Sequence, residues 1–379
     1  MNWPALPLAA AVGLATVAVD ASSILSCAGA YDHDSNKILM IGWRGLNSDA
    51  CLYETVEDAR VTMTAYLWNN VMVYDIPRAI SLGFSPSANS ASDTNVIAVE
   101  EQRKLQSLQT QPCIDGLSDG ILNQTLHYSL LAKSIYPWAD ALPKDVFMEY
   151  VVPFAVANEP RTDYRQLLFD SLRDSLKEWE RSLDANQIMS GEEVQTSMKQ
   201  AVKVINTRLW SILGKPNKPI VFNAGLTPRI YDPLSVIAYG HSSCTGLAIL
   251  LIAALRSVGI AARLAGSPAW WGDADNGNHS WVEVFLPGED GGKWIFLEPT
   301  PGIAEGDEDT ADADDLDRDP CKRWFCHSSR FNGTTRVYAT MYTKSESSLF
   351  HPMAWGVGDE GVVGVNRSDY YTGVCGACL

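Results

Sequence analysis

The alternation of apolar and polar residues divides the chain into a helical part followed by a strand-rich part. Apolar residues recur at helical spacing, which predicts helices over residues 54–74, 141–152, 162–183, 191–213 and from Cys244 to Gly259, where the glycine ends the last helix. After Gly259 the period changes. Short runs rich in Val, Ile, Phe and Trp, bounded by Gly, Pro and Asp, predict strands within residues 260–271, 279–286, 293–300 and 334–343.

The helix that begins at Cys244 is apolar on nearly every side, so it is predicted to be buried. It opens with polar residues, and Ser242 or Ser243 is expected to cap it. Cys244 then lies in the first turn, where the helix dipole favours an anion and lowers the pKa of a thiol. The neighbouring backbone N–H groups are suited to stabilising an oxyanion. A single cysteine beside a buried helix is usually structural, so this pattern alone indicates only a candidate nucleophile.

A histidine and a glutamate supply the partners that such a thiol needs. His279 begins one predicted strand, and the next strand ends at Glu298 after the turn at residues 287–292. If the strands form an antiparallel hairpin, the two residues lie directly opposite or one diagonal apart, roughly 5–8 Å between Cβ atoms. Glu283 is the other candidate for the carboxylate partner of His279, because it lies on the same face of the strand. It is about 13 Å away along the strand, which is too far for a direct bond. Glu298 is therefore preferred.

The composition limits the partners of the chain. It has 379 residues, 46% of them hydrophobic, which is enough for one large domain or two modest ones. The formal net charge of −16 excludes nucleic acid and anionic membrane as partners. No stretch after the N-terminus is long and apolar enough to span a bilayer.

The N-terminus and the cysteines favour an exported protein, secreted or within an extracytoplasmic compartment. Residues 1–21 resemble a signal peptide, although Lys and Arg are missing near Met1. Glycosylation sequons occur at Asn123, Asn278, Asn332 and Asn366, and the chain has eight cysteines. If Cys244 is a free nucleophile, seven cysteines remain and one of them lacks a partner within the chain.

Five regions are expected along the chain. They are the signal peptide (1–21), a mainly helical N-terminal region (22–140), a catalytic core (141–303), an acidic linker (304–320) and a small cysteine-bearing C-terminal segment (321–379). Within the last of these, disulfides are favoured among Cys321, Cys326, Cys375 and Cys378. A zinc site or a Cys375–Cys378 redox pair is the alternative.

Three motifs in this order resemble the transglutaminase-like superfamily of papain-type thiol enzymes. They are CTGLAILLIAALRSVGIAAR (244–263), NHSWVEV (278–284) and WIFLEPT (294–300), and the resemblance extends upstream to about residue 141. The family usually has Asp where this chain has Glu298. The resemblance implies an α+β fold in which a buried catalytic helix packs on an antiparallel sheet. It also implies that Cys244 attacks an amide, His279 transfers the proton, Glu298 orients His279 and Trp281 packs beside the pair at the substrate site.

The expected function is acyl transfer from protein or peptide amides, without a metal ion or an organic cofactor. A lysine amine as acceptor gives a transglutaminase, and water gives a cysteine peptidase or amidase. A non-catalytic binding module on the same fold is the third possibility. A peptide N-glycanase is disfavoured, because known members carry a zinc-binding cysteine set before the nucleophile, where this chain has only isolated cysteines at positions 27, 51 and 113.

Overall fold

The computed structural model is described for most of the chain. It covers residues 30–32, 37–45, 48–70, 75, 119–180, 189–226, 231–288, 291–307, 312–331, 333–343, 349–350 and 362–379. The predicted signal peptide and Asn332 lie outside these residues. The described part combines helices with antiparallel sheets, so the predicted α+β class is confirmed at that level.

The N-terminal region opens with strands that the sequence pattern did not predict. Strands β1 (Ala30–Asp32), β2 (Lys37–Gly45) and β3 (Ser48–Thr55) form a three-stranded antiparallel sheet. Helix α1 (Val56–Asn69) follows directly and begins where the Thr55 hydroxyl accepts a hydrogen bond from the Asp58 backbone N–H at 3.1 Å. The expectation of a mainly helical region therefore missed these strands, because short apolar runs do not distinguish strand from helix.

Five helices lead to the candidate site. They are α2 (Asp119–Ile135), α3 (Pro137–Asp140), α4 (Lys144–Tyr150), α5 (Arg165–Leu176) and α6 (Gly191–Ile212). The start of α6 is fixed by Ser190 and Glu193, whose side chains each bond the other's backbone N–H. On α5, Leu168, Leu172 and Leu176 are buried. Leu167 is 43% exposed, because it lies about 100° around the helix from Leu168.

Helix α8 (Cys244–Ser257) is the central helix of the core. It is preceded by α7 (Pro233–Tyr239), and two short parallel strands, β4 (Val221–Phe222) and β5 (His241–Ser242), pair beside its start. Every residue from Thr245 to Ser257 is buried, as the apolar pattern predicts. The helix ends before Gly259, which has φ +78° and where a Cβ would lie 2.4 Å from the Cβ of Ala139. Glycine is therefore compatible with both the positive φ and the close approach of Ala139.

The main sheet has six antiparallel strands in the order β10-β11-β9-β6-β7-β8. Strands β6 (Ala262–Ser267), β7 (His279–Leu286) and β8 (Lys293–Leu297) form the predicted meander. Strands β9 (Tyr338–Thr340), β10 (Leu349–Phe350) and β11 (Val363–Asn366) come from the C-terminal segment and extend the sheet beyond β6. The C-terminal segment is thus an integral part of the sheet.

Both faces of the sheet are covered. Alternate residues such as Val282 and Leu264 join the large core around α8, while Trp281 and Phe296 join a smaller core with the C-terminal segment. This smaller core includes helix α9 (Ser368–Cys375) and the disulfide Cys326–Cys375. A second disulfide joins Cys321 to Cys378. These two bonds confirm the disulfide interpretation of the tail over the zinc and redox-pair alternatives, and disulfides are typical of an oxidising, extracytoplasmic environment.

Among the described residues, no helix has the length and apolarity needed to cross a membrane.

Candidate active site

Cys244 opens helix α8 and is partly accessible from the surface, although the rest of the helix is buried. It is the free cysteine of the described residues. Ser243 occupies the position before the helix, but its side chain does not cap it. The hydroxyls of both Ser242 and Ser243 are buried without a hydrogen-bond partner among the described residues. The predicted serine cap is therefore wrong, and the first backbone N–H groups of α8 are not used by these side chains.

The thiol of Cys244 lies against His279, the first residue of β7. Burial by itself raises the pKa of the thiol, but the side-chain hydrogen bond with His279, the charge of the imidazolium and the Ser280 backbone N–H together lower it below its usual value. The same strand holds the helix start, because the hydroxyls of Thr245 and Ser280 are 3.0 Å apart and both buried. The sulfur and the ring are thus fixed by neighbouring residues of one helix and one strand.

His279 contacts Glu298 on its other side. The distance from Nε2 of His279 to Oε1 of Glu298 is 2.6 Å, which leaves Nδ1 as the ring nitrogen available to the thiol. Burial lowers the pKa of His279, but the Glu298 carboxylate and the hydrogen bonds with Cys244 and Glu298 raise it to about 10. A lowered thiol pKa beside a raised imidazole pKa favours transfer of the thiol proton to the ring.

The strand register explains why these two residues meet. Val282 is paired with Leu297. Continuing that register past the end of β8 puts Glu298 opposite Trp281, one diagonal from His279. Of the two separations that the sequence allowed, the diagonal one is present.

The backbone of Glu298 is held from two directions. Its N–H donates to the Asp314 carboxylate at 2.6 Å, and its carbonyl accepts from Nδ2 of Asn206 on α6 at 2.8 Å. Asn206 is fully buried, also donates to the Asp314 carbonyl and accepts from the Thr300 N–H at 3.1 Å. Asp314 in turn accepts from Nε of Arg323 at 2.9 Å. We call Asn206 and Asp314, with Arg323, the Glu298 anchor.

The acidic region is therefore not uniformly solvated. Asp314 is 2% exposed and faces the site from within the predicted linker. Neither Asp314 nor Asn206 was predicted from the sequence. Asp314 is hidden in a run of nine acids over residues 305–319, and Asn206 is one polar residue in an amphipathic helix.

Glu283, the rival carboxylate, has other partners. It accepts from Arg263 at 2.8 Å, from Arg367 at 3.0 Å and from the Tyr371 hydroxyl at 2.8 Å, and it is fully buried. Burial raises its pKa, but Arg263 and Arg367 hold the net pKa below the usual value. Glu283 belongs to a buried ion-pair group within the sheet.

Trp281 lies beneath His279 and not in an open cleft. Its side chain is fully buried, with 5.8 Å between its ring centroid and that of His279, and its indole N–H donates to the Tyr371 hydroxyl at 2.7 Å. The packing part of its predicted role agrees with this position. The predicted substrate contact does not, because the ring of Phe325 stacks on Trp281 at 4.4 Å.

The aromatic residue that does face the surface at His279 is Trp324. It is 58% exposed and its ring centroid is 4.6 Å from that of His279. The sequence pattern missed it, because nothing local indicates that the segment between Cys321 and Cys326 returns to the site. His241, close to the thiol in sequence, instead lies on β5, with its ring 6.2 Å from that of Tyr239.

This geometry can support nucleophilic attack on a carbonyl carbon. A partly accessible thiol with a lowered pKa, an adjacent imidazole with a raised pKa and a carboxylate behind the ring stand in series. The described residues hold no cluster of three or more His, Cys, Asp or Glu side chains arranged to bind a metal ion.

A comparison with protein families gives a match to part of the chain. Residues 185–299 match the family model described as the transglutaminase-like superfamily. The match contains Cys244, His279 and Glu298 and confirms the family that the motifs indicate, although it begins downstream of residue 141. A comparison with curated proteins found no match.

Proposed function

We propose that this chain, whose residues 185–299 match the transglutaminase-like superfamily, is a thiol-dependent acyl-transfer enzyme that acts on protein or peptide amides. The observation that carries the proposal is the series of Cys244, His279 and Glu298, with 2.6 Å between Nε2 of His279 and Oε1 of Glu298. Each of these residues is common in a structural role. Their combination at the mouth of a buried helix is typical of an activated nucleophile.

Acylation begins from the thiolate–imidazolium pair. The Cys244 sulfur attacks the carbonyl carbon of the amide, and the carbonyl oxygen becomes an oxyanion that the backbone N–H groups at the start of α8 stabilise. The carbon–nitrogen bond then breaks, and His279 transfers its proton to the departing amine. The products are a thioester on Cys244, a free amine and a neutral imidazole.

In deacylation the proton moves in the opposite direction, toward His279. The neutral His279 takes a proton from the acceptor as the acceptor attacks the thioester carbonyl, and the thiolate leaves. A lysine amine as acceptor gives an isopeptide bond. Glu298 stabilises the imidazolium in both half-reactions and keeps the ring in one orientation.

Asn206 and Asp314 act as positioning residues for Glu298. Because Glu298 lies beyond the last paired residue of β8, the sheet does not fix its backbone. The Glu298 anchor supplies the missing hydrogen bonds to its N–H and carbonyl. A carboxylate held in this way can stay within bonding distance of the ring through a reaction cycle.

Water is the alternative acceptor and would make the protein a cysteine peptidase or amidase. The two activities share every step up to the thioester and differ only in deacylation. The experiment that tests the proposal measures both, in wild type and in Cys244→Ala. It follows incorporation of a fluorescent primary amine into a glutamine-bearing protein and, in parallel, peptide hydrolysis. Loss of both activities in the variant is expected, and the ratio in wild type assigns the acceptor.

Inertness of the thiol would contradict the proposal directly. If Cys244 reacts with iodoacetamide only as ordinary thiols do, gaining reactivity above pH 8, the chain is a non-catalytic module on the same fold.

A further inference from the structure

The C-terminal segment brings an exposed aromatic side chain to the proposed nucleophile and its base. Trp324 and Phe325 lie between Cys321 and Cys326, which are bonded to Cys378 and Cys375. Phe325 is buried with its ring 5.3 Å from that of His279, whereas Trp324 presents more than half of its side chain to the surface. Two disulfides therefore fix a large apolar surface at the edge of the site.

Arg330 lies against this surface without an acidic partner. Its guanidinium carbon is 5.1 Å from the ring centroid of Trp324 and 5.1 Å from that of Trp270. Within the described residues its side chain makes no hydrogen bond and has no carboxylate within 4.0 Å. Two other arginines over aromatic rings, Arg263 and Arg323, are paired with Glu283 and Asp314.

An unpaired guanidinium is notable in a chain with a net charge of −16. Two indole rings hold the group in place, and all five of its N–H donors are free of partners among the described residues. A guanidinium binds a carboxylate through two parallel hydrogen bonds. The two rings thus orient the guanidinium, and no acidic side chain of the described residues takes the place of its anion.

We propose that Trp324 and Arg330 form a subsite for a carboxylate group of the acyl-donor substrate. This inference rests on the proposed function, because it assigns the acidic substrate to the thiol of Cys244. The apolar part of the substrate beside the reacting amide packs on Trp324, and its carboxylate bonds Arg330.

The distances fit a peptide. The ring of His279 is 4.6 Å from that of Trp324, which is 5.1 Å from the Arg330 guanidinium, so Arg330 lies within about 10 Å of the His279 ring. An extended peptide advances roughly 3.3 Å per residue, so the carboxylate belongs one to three residues from the reacting amide. The negative charge of the whole chain does not prevent this, because salt screens charges beyond about 8 Å and the contact with Arg330 is direct.

Affinity labels of Cys244 test the subsite without requiring turnover. Three probes share an N-iodoacetyl-glycyl group. Two are acidic: one continues with Glu and ends in an amide, and the other continues with Gln and ends in a free carboxylate. The neutral probe continues with Gln and ends in an amide. The second-order rate of Cys244 alkylation is measured by mass spectrometry for each. We expect one or both acidic probes to react about tenfold faster than the neutral probe with wild type, as for one charge-assisted hydrogen bond at a partly exposed site. The faster probe shows whether a side-chain or a terminal carboxylate is preferred.

Variants assign the effect to Arg330. In Arg330→Gln the acidic and neutral probes should react at equal rates, and Arg330→Lys should keep only part of the preference, because it retains the charge without the fork. Arg336→Gln removes the same charge from an exposed arginine six residues further on and should keep the full preference. Thermal unfolding of each variant verifies that it is folded.

Two results would overturn the subsite. One is equal reactivity of all three probes with wild type, and the other is a preference that survives in Arg330→Gln. If Cys244 reacts fast with every probe, the proposed function stands and only the subsite fails. If Cys244 reacts slowly even with the neutral probe and only above pH 8, the proposed function has failed.

Discussion

Nε2 of His279 lies 2.6 Å from Oε1 of Glu298, although Glu298 follows the last paired residue of its strand. The imidazole ring on β7 is therefore held between a carboxylate that follows β8 and a thiol at the start of α8. The raised pKa of His279 and the lowered pKa of Cys244 are consequences of this one arrangement. It leads directly to a pH dependence that can be measured.

In wild type the alkylation of Cys244 should have an acid limb, and turnover should also have an alkaline limb. The thiolate forms at a pH below that of an ordinary thiol, and the imidazolium loses its proton near pH 10. We expect alkylation by iodoacetamide to be fast at neutral pH, and turnover to fall near pH 10 as the proton donor is lost. Rates measured from pH 4 to 11 test both limbs.

Glu298→Gln should move both limbs in known directions. Without the carboxylate charge the pKa of His279 falls. The carboxylate by itself raises the pKa of the thiol, but the imidazolium lowers it more strongly, so earlier loss of the cation makes the thiol pKa rise. Alkylation at pH 6–7 should slow, and turnover should fall by about 10²- to 10⁴-fold, as when a triad acid is neutralised. Glu298→Asp is the control, since it retains the charge. An unchanged pH profile in Glu298→Gln would show that Glu298 does not act on the ring.

Asn206→Ala should uncouple Glu298 from the helix behind it. The change leaves the Glu298 carbonyl, the Asp314 carbonyl and the Thr300 N–H without their buried partner, so the free energy of unfolding should fall by about 2–4 kcal/mol. The pH profile of Cys244 alkylation should shift in the same direction as in Glu298→Gln, which a purely structural residue would not cause. Ser211→Ala, on the same helix with a hydroxyl that bonds the Arg208 carbonyl, is the matched control.

Tyr371→Phe should weaken the sheet and leave the chemistry unchanged. The hydroxyl of Tyr371 donates to Glu283 and accepts from the Trp281 indole, so its loss leaves the buried indole N–H without a partner and removes one of three donors to Glu283. We expect about 1–3 kcal/mol lower stability in urea unfolding and an unaltered alkylation rate. Tyr370→Phe, at the neighbouring half-buried position, should change neither. A large loss of alkylation rate in Tyr371→Phe would give the buried group around Glu283 a role in the site.

The two disulfides should differ in accessibility. Cys321 is exposed, whereas Cys326 and Cys375 are fully buried, so mild reductant should open Cys321–Cys378 first, as read by alkylation and mass spectrometry. The double variant Cys326→Ala/Cys375→Ala should lower stability by roughly 2–5 kcal/mol. It should also slow the alkylation of Cys244, because Phe325 no longer holds its position beside His279. Simultaneous opening of both bonds would contradict the packing around Phe325.

The parts of the site predicted from the sequence depend on local patterns. The apolar residues after Cys244 predicted a buried helix, and the two runs around residues 287–292 predicted a hairpin whose geometry brings His279 to Glu298. These inferences use only helix and strand periods, which short-range sequence determines.

The parts that were missed depend on long-range contacts. Asn206 reaches Glu298 across 92 residues, and Trp324 reaches His279 from a segment that two disulfides join to the residues around α9. The serine cap was also wrong, because neither the Ser242 nor the Ser243 hydroxyl bonds a backbone N–H at the start of α8.

The position of β6 in the sheet has a consequence for biosynthesis. Its outer edge is covered by β9, whose first residue, Tyr338, is synthesised 71 residues after the end of β6 at Ser267. While the ribosome is adding those residues, the nascent chain carries an uncovered row of backbone donors and acceptors, a known starting point for aggregation. A chaperone that shields this edge until the chain is finished would raise the yield of native protein more than one acting after release.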